Sequence, residues 1–216
     1  MAKRIAIANY KGGTGKSTVT LLLAEGLALY HKARVLAVDL DPLAVLSNVM
    51  MSVEGVQAAT GEKRTLWEML RQLAGGHDLH LSRYICTKVS DLIELRDAKD
   101  SRRIDLIPSS PPLLKQLAEI ESKIRAKHPR ESVDLFLARV IAVELDRIDK
   151  SYDFVLFDCP AGPVPQTGAA LRLSSMTIAP TVLENNSITA LNNTSVMSRT
   201  RARVCATCPV TFCPSC

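Results

Sequence analysis

The chain predicts a doubly wound α/β domain with a mostly parallel sheet flanked by helices, and three observations lead there. Short apolar runs that end at glycine or proline alternate with stretches of helical spacing. A cluster of glycines stands at the turn between the first such run and the first helix. Apolar residues make up 47% of the 216 positions but aromatics only 4%, so helices rich in Ala, Leu, Val and Ile must pack on a buried sheet. The length suffices for one sizeable core.

Residues 4–9, "RIAIAN", form the first strand and stop at the glycines. "KSTVTLLLAEGLALYHK" has helical spacing, with Val19, Leu22, Leu23, Leu27 and Tyr30 expected near one face. "ARVLAVDLDP" is a buried strand ended by Pro42. Together they make a βαβ unit, for which parallel pairing and a right-handed crossover are the rule. Residues 43–102 carry a weaker pattern: "TLWEMLRQLA" reads as an amphipathic helix, "GGHD" and "RDAKDSRR" as loops. "RIDLIPSS" is a strand, followed by two helical stretches, the first opening on Pro111 and Pro112. "YDFVLFDCP" and "MTIAP" are further strands, and "NNSITALNNTSVMS" a helix with Asn or Ser at its cap.

The glycine cluster carries chemistry. In "KGGTGKST", Gly12, Gly13 and Gly15 let successive backbone N–H groups converge on phosphate oxygens, around Thr14. The helix that begins at Lys16 adds its unpaired N–H groups, through Ser17 and Thr18, and the positive end of its dipole. Lys16 is placed to neutralise β/γ-phosphates, and the Ser17 hydroxyl to hold Mg²⁺. Three further acids stand where ligands sit in open α/β sheets. Asp39 and Asp41 close the second strand, two apart and on one face if it stays extended, and Asp158 closes "YDFVLFD".

The loop is a variant, since the common pattern opens with a glycine at the place held here by Tyr10. Lys11 through Ser17 instead match K-G-G-x-G-K-[ST], and on that motif the chain resembles the ParA/MinD family of deviant Walker A ATPases. "VLAVDLDP" and "LIPSS" resemble the ParA branch, and the resemblance runs over about residues 2–195. It implies an ATP-binding, Mg²⁺-dependent ATPase that acts as a nucleotide-switched dimer in plasmid or chromosome partition. By the same resemblance, Lys11 crosses a two-fold interface to the partner's phosphates and Asp41 orients the attacking water. Asp39 supports magnesium and loop, and Asp158, resembling Walker B, binds Mg²⁺ through water. A ParB-like stimulating partner and binding of DNA without sequence preference are also implied, with Arg199, Arg201 and Arg203 as candidate contacts. Cys159 reads as a packing residue.

No run approaches the length of a membrane span, and "MAKRIAIANY" is too short and polar for a signal peptide, so a cytoplasmic protein is expected, nucleoid-associated if it binds DNA. The net charge of +5 permits contact with nucleic acid. Four of the six cysteines, Cys205, Cys208, Cys213 and Cys216, crowd into the last twelve residues. Residues 1–204 are therefore read as the ATPase domain and 205–216 as a Cys-rich tail, where the resemblance fails and an unfinished sheet edge is expected. The tail's spacing has two readings: a foreign or truncated end, or a thiolate clamp, which would make the chain an ATP-dependent iron–sulfur or metal cluster carrier.

Overall fold

A computed structural model describes residues 1–90, 92, 102–182 and the strand Arg203–Cys205. Six strands, β1 (Lys3–Ile7), β2 (Arg34–Asp39), β3 (Arg103–Ile107), β4 (Phe154–Asp158), β5 (Met176–Ile178) and β6 (Arg203–Cys205), form one sheet in the order β3-β2-β4-β1-β5-β6. All five pairings are parallel. Parallel strands need crossovers, and helices supply them on both faces. The expected doubly wound α/β class is the observed one.

Helices α1 (Lys16–His31) and α2 (Val45–Gly61) cover one face, where Leu27, Leu46 and Met50 pack on Ile5, Val35 and Leu156. Helices α3 (Leu66–Gly75), α4 (Pro112–Lys127), α5 (Val133–Ile148) and α6 (Pro165–Leu173) cover the other, around Leu66, Met69, Leu113, Phe136 and Phe157. Because α1 and α6 lie on opposite faces while their parent strands β1 and β4 are neighbours, a crevice opens at the carboxyl ends of those two strands.

The face expected for α1 needs correction. Leu27 is buried, but Leu22 is 51% and Tyr30 84% exposed. The inward face is instead Lys16, Thr20, Ala24, Leu27 and Ala28, small side chains that let the helix approach the sheet closely. Two helices have no counterpart in the sequence pattern. The longer, α2, is two helical pieces joined at Ser52, whose φ of 66° breaks the regular turn, and its apolar residues circle the axis. The other, α6, is a short run of small residues. The helix expected over residues 185–198 lies outside the described residues.

The β3 edge is capped by the chain itself. Cys86 N donates to Leu106 O at 2.7 Å, Leu106 N donates back at 2.8 Å, and Val89 N donates to Ile104 O at 2.9 Å. These bonds occupy part of an edge that would otherwise template association.

Close helix packing sets one expected result. A Cβ added at Gly168 of α6 would lie 2.8 Å from Asp134 Cβ of α5, a rigidly attached atom. Gly168→Ala gains about 1 kcal/mol of helix propensity but incurs overpacking of about 1–3 kcal/mol. A net loss of roughly 1 kcal/mol is expected, read as a lower urea midpoint at unchanged slope.

Candidate nucleotide-binding site

The loop after β1 is anchored from three sides. Ala8 N donates to Ile178 O of β5 at 3.0 Å, Cys159 N donates to Ile7 O at 3.1 Å, and Gly162 N donates to Tyr10 O at 3.1 Å. Asn9, 1% exposed, gives its Nδ2 to Pro180 O at 2.8 Å and accepts the Lys11 amide on Oδ1 at 3.0 Å. With its base fixed, the loop turns through Gly13 (φ 70°) and Gly15 (φ 82°), left-handed conformations that favour glycine. Cβ atoms added at Gly12, Gly13 or Gly15 would meet nothing within 4 Å. The loop is therefore uncrowded around these glycines.

Lys16 opens α1 on the left-handed Gly15 cap and is 7% exposed. Its Nζ donates to Lys11 O at 3.1 Å, and Thr14 Oγ1 lies 3.5 Å from the same carbonyl. Burial holds the Lys16 ammonium below its ordinary pKa, against the opposing pull of the Asp158 and Asp41 charges. Both acids are thus electrostatically in register with the lysine. Ser17 is half-buried beside them, whereas Thr18 is exposed on the first turn.

Asp158 ends β4 opposite Ile7 on one side and Asp39 on the other. Thr20 Oγ1, one turn after Lys16, lies 3.2 Å from Asp158 Oδ1. The second oxygen, Oδ2, is buried and has no hydrogen-bond partner among the described residues. Burial pushes the Asp158 carboxyl up to about 6, with Asp41 adding to the rise and the Ser17 and Thr20 hydroxyls opposing it. Burial likewise pushes Asp39 up to about 7, helped by the Asp158 charge and opposed by its hydrogen bonds. Two buried carboxylates side by side, one with an orphaned oxygen next to a serine hydroxyl, fit a hard divalent cation that takes oxygen ligands. Ser17 and Asp158 would hold it.

Asp39 and Asp41 have different surroundings. The strand stops at Asp39, so the two do not share an extended face. Asp39 is fully buried, and its oxygens accept from Asp41 N at 3.0 Å, Ser47 N at 2.9 Å and Ser47 Oγ at 2.6 Å. Asp41 lies on the following loop, half-buried, with Oδ1 accepting from Leu43 N at 2.9 Å. The structure thus brings Lys16, Ser17, Asp41 and Asp158 together and sets Asp39 beneath them. Asn9, Thr20 and Ser47 are missed by sequence reasoning. Only Thr20 leaves a local signal, four residues after Lys16 on the same helical face.

Cys159 is fully buried, and burial pushes its thiol well above the ordinary range, as befits a packing residue. The Cys205 backbone ends β6, while Cys208, Cys213 and Cys216 lie outside the described residues, as do Arg199 and Arg201. Among the described residues no group of three or more His, Cys, Asp or Glu is arranged to hold a metal. No described helix is long and apolar enough to cross a membrane.

A glycine loop between β1 and α1, a lysine at the helix start and an acid at the end of the neighbouring strand define a P-loop nucleotide-binding fold. A family model described as an AAA domain matches residues 2–201, and the chain belongs to that family, within the ParA/MinD type of P-loop ATPases. A ParA family protein of Chlamydia trachomatis is 29% identical over 169 residues, covering 78% of this chain and 54% of that one. The Cyanothece McdA–ATP complex superposes with a TM-score of 0.67 at 19% identity, covering 94% of this chain and 68% of that one. The pNOB8 ParA bound to nonspecific DNA does so with a TM-score of 0.60 at 24% identity, covering 89% and 58%. The chain spans 38% to 63% of the length of curated relatives that it matches over most of its own.

Proposed function

We propose that the chain is a Mg²⁺-dependent ATPase that acts as an ATP-switched dimer in plasmid or chromosome partition. The observation that carries this reading is the glycine loop leading into a helix whose Thr20 hydroxyl meets Asp158, a buried acid whose Oδ2 has no hydrogen-bond partner among the described residues. In this reading the N–H groups of Gly12 through Thr18 receive the phosphate oxygens. Lys16 exchanges the Lys11 carbonyl for the β/γ-phosphates. Ser17 and Asp158 hold the magnesium, which shields phosphate charge and orients the triphosphate. Asp39 supports the loop from below, and Asp41, free to use its second oxygen, positions water for in-line attack.

Lys11 completes the site of a second copy. A cation supplied in trans is worth a factor of about 10³–10⁵ in phosphoryl transfer, so hydrolysis is slow in the single chain and rises on dimerisation and with a ParB-like partner. The ATP form binds DNA without sequence preference, a reading supported by the DNA-bound ParA neighbour and the +5 charge. In this reading the protein works in the cytoplasm and associates with the nucleoid when its ATP form holds DNA.

Light scattering in Mg²⁺ with a saturating non-hydrolysable ATP analogue tests the reading. The expected result is a doubling of mass that reverses with ADP. A chain that binds the analogue and stays single overturns the dimer, and one that binds no nucleotide overturns the reading altogether.

A further inference from the structure

Ser47 has a place in the molecule that neither loop chemistry nor packing explains. It is the third residue of α2 and is fully buried, on the inward side of that helix. Its Oγ donates to Asp39 Oδ2 at 2.6 Å and accepts from Ser109 N, just past β3, at 2.9 Å. Its own N–H donates to the same Asp39 oxygen at 2.9 Å. Ala44, the cap residue of α2, has no side-chain acceptor and stands in the left-handed region at φ 54°. Asp39 therefore does from the preceding strand what a cap side chain does at other helix starts.

The other oxygen of Asp39 holds the amide of Asp41 at 3.0 Å. One hydroxyl thus ties together the exits of β2 and β3, the first turn of α2 and the peptide that carries Asp41. Both hydrogen-bonding directions of the hydroxyl are used, so its orientation is fixed. We propose that Ser47 is a positioning residue for Asp41: by clamping Asp39, it sets where the Asp41 carboxylate stands over the phosphate loop. The proposal rests on the role given to Asp41 above.

A displacement of about 1 Å at a reacting centre can cost roughly a hundredfold in rate. Ser47→Ala deletes the clamp and leaves the Ser109 amide without its acceptor. Ser47→Cys keeps the volume with a weak donor, and Ser47→Thr keeps the hydroxyl. The expected result is a kcat for ATP about 10- to 100-fold lower in Ser47→Ala and Ser47→Cys. Affinity for a non-hydrolysable analogue stays within about threefold of wild type, and Ser47→Thr recovers most of the rate.

In an Asp41→Ala background the Ser47→Ala change should cost nothing more, because the residue it positions is gone. Additive losses in that cycle overturn the proposal, as does unchanged turnover in Ser47→Ala. So does a Ser47→Thr protein no better than Ser47→Ala. Should Ser47→Ala fail to fold, the same comparisons are read on Ser47→Cys. A wild-type chain without ATPase activity is a different failure, that of the functional reading itself, and takes this proposal with it.

Discussion

Lys16→Ala is expected to abolish nucleotide binding. The ammonium is almost buried, sits against the loop it serves, and is drawn on by Asp158 and Asp41 at the edge of the cradle. Truncating one member of a buried, hydrogen-bonded charge pair costs about 2–5 kcal/mol. Applied to a triphosphate, that is a roughly 30- to several-thousand-fold loss of affinity. Removing a cation within reach of the Asp158 and Asp41 charges adds to the effect, since their repulsion of the incoming phosphates is then less opposed. Titration calorimetry with ATP and Mg²⁺ reads the result directly. Wild-type affinity in Lys16→Ala would mean that the glycine loop is not where phosphate sits.

Lys11→Ala should behave in the opposite way, keeping the nucleotide and losing turnover. Two bonds at residue 11 are made by its backbone. Its N–H donates to Asn9 Oδ1, and its carbonyl accepts from Lys16 Nζ. Alanine preserves both. What it deletes is a half-buried ammonium on the loop, which the proposed dimer would deliver to the other subunit's phosphates. The expected loss in kcat is about 10³–10⁵-fold, with analogue affinity in the single chain little changed. Mixing experiments sharpen the test. Lys11→Ala combined with Lys16→Ala subunits should recover activity at one of the two sites, because the intact Lys11 of one chain then faces the nucleotide held by the other. Full turnover by Lys11→Ala alone would remove the reason for the second lysine.

Much of the site was legible because its chemistry is local. Glycines, lysine and hydroxyls of a phosphate loop are contiguous by necessity, since neighbouring N–H groups must converge on one anion. Asp158 was legible for a similar reason: a buried strand that ends in an acid aims it at the sheet's carboxyl edge. Helix α2 was not, because its pattern lacks a polar face and is broken at Ser52. Asn9, Thr20 and Ser47 were not, because their partners Pro180, Asp158, Asp39 and Ser109 lie far away in the chain or become partners only once strands pair.

By itself the sequence determined the alternation of strands and helices, the phosphate loop, its tie to the ParA/MinD type and the identity of the acids around it. All of these are written in short-range order, where residue spacing alone sets geometry. Tertiary structure alone decided which side of α1 turns inward and how the surroundings of Asp39 and Asp41 differ. The face went to Thr20, Ala24 and Ala28 because a helix laid close on a sheet needs small side chains there, whatever its larger ones prefer. The two acids parted because β2 ends at Asp39. That carboxylate is then buried and has to find donors, while Asp41 stays half-buried on the loop that follows.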